Sequence, residues 1–146
     1  MPRTQTIAVL LLLLAAAPGA LAQEDITSLA GRPVLALAQR AELTTGIRFN
    51  SGGHRGALAA RLRDPGPPLA LAEDRYIFGW GCRAEGCREG GAFLAWDMRD
   101  ERMFLLLTER GGVRLSVPPD PRAWPEALRP GLRGFVPALA EALGPR

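Results

Sequence analysis

The sequence predicts a single α+β domain: an antiparallel meander sheet of about five strands with helices on one face. Three observations lead there. Between residues 69 and 117, short apolar runs alternate with turn signals. On both sides of that stretch, apolar residues recur at helical spacing. The 146 residues, with no internal repeat or linker, are room for one domain.

Thr27 or Ser28 can cap a first helix, with Pro33 at a first-turn position. Val34, Leu35, Leu37, Ala38, Ala41 and Leu43 then recur at helical spacing, and Gly46 is the expected stop. Residues 49–56, glycine-rich around His54, read as a flexible loop. Ala57–Arg63 makes a second, short helix that Pro65, Pro67 and Pro68 end. Leu69–Ala72 and Tyr76–Cys82 are strands joined by a turn at Glu73, Asp74 and Arg75. In the second strand Tyr76, Phe78, Trp80 and Cys82 share one face, leaving Gly79 and Gly81 on the other. Such an aromatic stripe is read as core packing, with sugar stacking as the lesser alternative. Ala92–Trp96 turns through residues 98–101 into Met103–Thr108. Gly111 and Gly112 then turn into Val113–Val117, where Val113, Leu115 and Val117 alternate with Arg114 and Ser116. After Pro118 come Pro119, Pro121, Pro125 and Pro130, with a helical turn at Glu126–Leu128. A last helix spans Val136–Leu143, with Pro137 in its first turn. Residue order leaves open whether the segment 118–130 packs on the sheet.

Composition narrows the class. A chain that is 47% apolar can build a core, and its 17 Gly and 13 Pro fall without a period, which excludes collagen-like and coiled-coil chains. All 18 basic residues are Arg, set against 15 acids. That mixed surface lacks the basic excess of a dedicated nucleic-acid binder, so no nucleic-acid partner is expected.

Residues 1–22 have the three parts of a cleavable signal peptide. Arg3 precedes the apolar run Ile7–Ala17, Pro18 and Gly19 follow it, and Ala20 and Ala22 supply small residues before Gln23. As a helix the run spans only about 16 Å, roughly half a hydrocarbon core. The expected product is a single mature domain, 23–146, periplasmic or secreted, with no membrane anchor. In an oxidising compartment Cys82 and Cys87, the only two cysteines, are expected to form a structural disulfide. A metal pair or a redox pair is the alternative, although both chemistries favour a closer spacing. The ring would hold Arg83, Ala84, Glu85 and Gly86 in a fixed loop.

Catalytic parts are few. A Ser-His-Asp arrangement must use His54, the single His, with Ser51, and no nucleophile elbow surrounds that serine. No acid pair stands in a recognisable glycosidase setting. The expectation is a non-enzyme with no catalytic residue, cofactor or metal; a small hydrolase using His54 is the least favoured reading.

The segment 76–109 is the most distinctive: strand, Cys-x4-Cys loop, strand, charged turn, strand. It resembles the inhibitor of vertebrate lysozyme family, exported bacterial proteins that block lysozyme. The resemblance is carried by Tyr76–Cys82, Cys87, Ala92–Trp96 and Met103–Thr108, with Leu69–Ala72 and the residues 27–31 agreeing in order. It implies a sheet with helices on one side and a protruding loop that enters the lysozyme cleft. In the family a loop His meets the catalytic carboxylates. Aligned by the cysteines, Glu85 stands in its place, and Gly86 stands where the family has an acid. A carboxylate driven toward two carboxylic acids is repelled, at a cost of several kcal/mol if buried. Arg83 and Arg88 can supply positive charge instead. The favoured function is therefore inhibition of a peptidoglycan-cleaving muramidase, a lysozyme or lytic transglycosylase. The target-binding loop would comprise Arg83, Ala84, Glu85, Gly86 and Arg88. The alternative is a non-inhibitory envelope binding or structural domain of the same fold. Some family members dimerise, so a homodimer is a further implied partner.

Overall fold

The computed structural model describes residues 25–144; the expected signal peptide, 1–22, lies outside the described residues. Five strands pair antiparallel in chain order: β1 Ala70–Ala72, β2 Tyr76–Cys82, β3 Gly90–Asp97, β4 Arg102–Glu109 and β5 Gly112–Val117. Short turns suffice because every strand pairs with its neighbour in sequence. Among the described residues three α-helices precede the sheet, α1 Val34–Ala38, α2 Ala41–Asn50 and α3 Arg55–Arg61, and two follow it, α4 Arg129–Phe135 and α5 Pro137–Ala142. No helix among the described residues is long and apolar enough to cross a membrane. The α+β class and the five-strand meander are as expected.

The helices, however, cover both faces of the sheet rather than one. Ile77, Leu94, Leu105 and Leu107 pack against Leu37, Leu43 and Leu58 from the N-terminal helices. On the other side Phe78, Phe93, Phe104 and Leu106 pack against Trp124, Leu128, Leu132 and Phe135. The reason lies in β3 and β4. Ala92, Phe93, Leu94 and Ala95 are consecutive and fully buried, as are Leu105, Leu106 and Leu107. A strand with one wet face alternates; a run that is apolar at every position needs cover on both sides.

The second cover is the proline-rich tail. Trp124 is fully buried, meets the Phe104 ring edge-on at 5.3 Å, and donates its indole N–H to the Pro118 carbonyl at 3.2 Å. Segment 118–130 therefore packs on the sheet. Helix α4 follows it, although Pro130, Gly131 and Gly134 lower helix propensity. Its glycines sit where a Cβ would come within 2.6 Å of Phe78 and 2.8 Å of Trp80. The residues that weaken the helix let it lie flat on the aromatic stripe of β2. Trp80, stacked on Phe93 and tilted against Phe135, is part of this core.

The N-terminal half also departs from expectation. The first helix is three pieces: a 3₁₀ turn at Ile26–Leu29, then α1 and α2 broken at Gln39 and Arg40. Gly46 does not stop α2; a Cβ there would stand 3.3 Å from the Met103 side chain, so the glycine serves close packing on β4. The expected flexible loop 49–56 contains the end of α2, a 3₁₀ turn at Gly52–His54 and the start of α3.

Candidate functional site

The site is the connection between β2 and β3. Cys82 ends β2, and Cys87 is joined to it by a disulfide with the Cα atoms 4.7 Å apart, inside the usual span for such a bond. Between them the chain makes a turn in which the Gly86 N–H donates to the Arg83 carbonyl at 3.0 Å. Gly86 has φ of +113°, a conformation that side-chain-bearing residues rarely adopt. Arg83, Ala84, Glu85, Arg88 and Glu89 are exposed.

Everything below the turn is tied down. The Cys82 N–H donates to the Pro65 carbonyl, and the Arg83 N–H to that of Gly90, both at 2.9 Å. The Gly90 N–H returns to the Gly86 carbonyl at 3.1 Å. From the next hairpin, the N–H groups of Arg110 and Gly111 reach the carbonyls of Glu89 and Arg88, each at 3.1 Å. The Thr108 hydroxyl, buried on β4, donates to the Cys87 carbonyl. The sulfurs themselves pack against the core that includes Phe135 and Val136. The loop is thus an exposed, charged tip on a rigid base.

Two glycines make the base possible. At Gly91 a Cβ would lie 2.7 Å from the Phe135 ring and 2.9 Å from the Cys87 carbonyl; at Gly90 it would lie 2.5 Å from the Arg83 side chain. The Arg83 stem therefore runs over Gly90, and its guanidinium pairs with Glu85 at 3.4 Å. The Glu85 carboxyl is held below the usual carboxylate range by its own backbone N–H and then by the Arg83 charge. Arg88 turns the other way, its Nε donating to the Gly111 carbonyl at 3.3 Å. The expected loop residues thus share one projection, but Arg83 and Arg88 leave its base in different directions. Gly90, Gly91, Thr108 and the Arg110–Gly111 turn were not anticipated as supports. The one sequence signal was Thr108, a polar residue closing an apolar strand.

At the opposite end of the sheet, Arg75 clamps the buried Asp97 with bonds of 2.9 and 2.6 Å and also pairs with Asp100 at 2.6 Å. The N–H groups of Arg99 and Asp100 donate to the same Asp97 oxygen at 3.0 and 3.2 Å. This carboxylate is saturated, so it ties the β1–β2 and β3–β4 turns together. The buried Ser51 hydroxyl donates to the Arg48 carbonyl at 3.5 Å, and the His54 N–H donates to the Ser51 carbonyl at 2.9 Å.

The described residues thus form a small α+β scaffold that carries an exposed, charged, disulfide-closed loop at one end of its sheet. The chain belongs to the inhibitor of vertebrate lysozyme family: residues 42–143 match the family described as Inhibitor of vertebrate lysozyme (Ivy). The match takes in the whole sheet, the disulfide loop and both C-terminal helices, far beyond the segment around 70–110 that carried the resemblance. No curated protein matches the chain, and no solved structure does.

Proposed function

We propose that the chain is exported by a cleavable signal peptide at 1–22. As a mature periplasmic or secreted domain, 23–146, it binds and inhibits a peptidoglycan-cleaving muramidase through its loop. The observation that carries this reading is the anchoring of the loop from both sides, by the disulfide and by the Thr108 and Arg110–Gly111 bonds. A loop held in shape before binding has little ordering entropy left to lose. Membership of a family of lysozyme inhibitors supports the same reading.

The chemistry must work without the family's loop histidine. A muramidase cleft is organised around two carboxyl groups. Arg83 and Arg88 are the loop cations able to meet them, and an Arg fork suits a carboxylate. Glu85 opposes entry, because Arg83 must exchange it for a target carboxylate. Ala84 and Gly86 add little bulk at the tip and let the backbone approach.

The test is a titration of the oxidised mature protein into a chicken-type lysozyme and into a lytic transglycosylase, following cell-wall clearing, with a reduced sample alongside. Stoichiometric inhibition that weakens on reduction is expected; no inhibition of either enzyme would overturn the reading. Sedimentation of the same sample reads whether the active species is a homodimer. One observation favours the second reading, a non-inhibitory envelope binding domain. Arg83 and Arg88 stand beside Glu85 and Glu89, so the tip carries nearly balanced charge.

A further inference from the structure

Beside the loop lies a notch of about 180 Å³ between the β4–β5 turn and α5, with Val113, Val136, Ala138 and Leu139 as its apolar walls and Arg88 at its mouth. Val113 is 45% exposed, one of the few large apolar side chains so placed among the described residues. Ala138 is exposed as well. We infer that this notch is a second contact for the loop's target, taking an apolar side chain of the muramidase while Arg88 meets a carboxylate at the rim. The inference rests on the proposed function and extends it from a single loop to a two-part surface.

Continuity of the backbone supports it. The turn that forms one wall of the notch is hydrogen-bonded to residues 88 and 89, immediately after Cys87. The notch is therefore held at a fixed offset from the loop. The Nε of Arg88 is committed to Gly111, and Arg88 has no ion-pair partner among the described residues. Its terminal nitrogens remain for an outside acid. Water against apolar walls is weakly held, and displacing it with an apolar group gains affinity. Arg is among the residues enriched where binding energy concentrates in protein interfaces.

The experiment measures binding of the disulfide-intact mature protein to the same two enzymes. Val113→Asp places a charge in the notch, and Ala138→Trp fills it. Arg83→Ala reports the loop, and Phe49→Asp, an exposed site on α2, is the remote control. Both notch variants are expected to weaken binding at least tenfold, with melting temperature and the Phe49→Asp affinity unchanged. Should Val113→Asp lower the melting temperature, the exposed Ala138→Trp decides. Wild-type binding that Arg83→Ala weakens but neither notch variant changes would overturn the notch and leave the loop reading standing. Absence of wild-type binding to both enzymes would overturn both.

Discussion

At positions 90 and 91 the missing side chains serve opposite faces of the sheet, one receiving the Arg83 stem and the other the disulfide and Phe135. Gly91→Ala forces a methyl into packed ring and backbone, and overpacking of this kind costs about 1–3 kcal/mol. A lowered melting temperature checks it. On the tip the effects fall on binding instead. Arg83→Ala is expected to cost about 2 kcal/mol of target affinity, with the melting temperature nearly unchanged because the side chain is half exposed. Glu85→Gln releases Arg83 from its partner and removes a repulsive charge, so it should tighten binding to a carboxylate-bearing cleft; calorimetric titration of both variants reads the sign. The tip was legible in the sequence because cysteine spacing marks a loop on its own. Its supports were not, since two adjacent glycines look like ordinary turn residues until the ring and the arginine above and below them are placed.

Among the elements, the β2–β3 connection gains stiffness from its closed ring. For a loop this short, chain entropy puts the disulfide at about 2 kcal/mol. A Cys82→Ser/Cys87→Ser variant should lose that much stability in urea and bind its target more weakly than the stability loss explains. The opposite end of the sheet makes a pH prediction. Hydrogen bonds from Arg75 hold the Asp97 carboxyl below its usual range, against the opposing effect of burial, with the N–H groups of Asp100 and Arg99 assisting. A group with a depressed folded pKa contributes stability that is present above its unfolded value, near 3.8, and lost as pH falls through the folded one. Stability should therefore fall below about pH 4, and Asp97→Asn should flatten that fall while lowering stability at neutral pH; urea melts across the pH range test both. The strands were legible because alternation and turn residues are local signals. The helices were less so. Periodicity ran straight through Gln39 and Arg40, where α1 and α2 separate, and the glycines at 52, 53 and 56 masked a helical connection.

For the whole molecule, the decisive feature is a sheet covered twice. Trp124 anchors the second cover among Phe93, Phe104 and the α4 residues. Trp124→Ala should cost about 3–5 kcal/mol, as truncations of buried aromatics do. Because Phe135 of α4 and the adjoining Val136 belong to the core against which the disulfide packs, loosening this layer should free the loop; faster amide exchange at residues 82–91 would register it. From its residue order alone the protein's class, strand sequence, turn positions and Cys82–Cys87 ring could be read, since each depends on neighbours within a few positions. Tertiary structure alone decided that the helices divide between two faces and that the proline-rich tail is core. It also decided that Arg83 pairs with Glu85 while Arg88 turns toward the notch. Those outcomes depend on which distant apolar surface is left uncovered once the sheet has formed, and no local pattern carries that information.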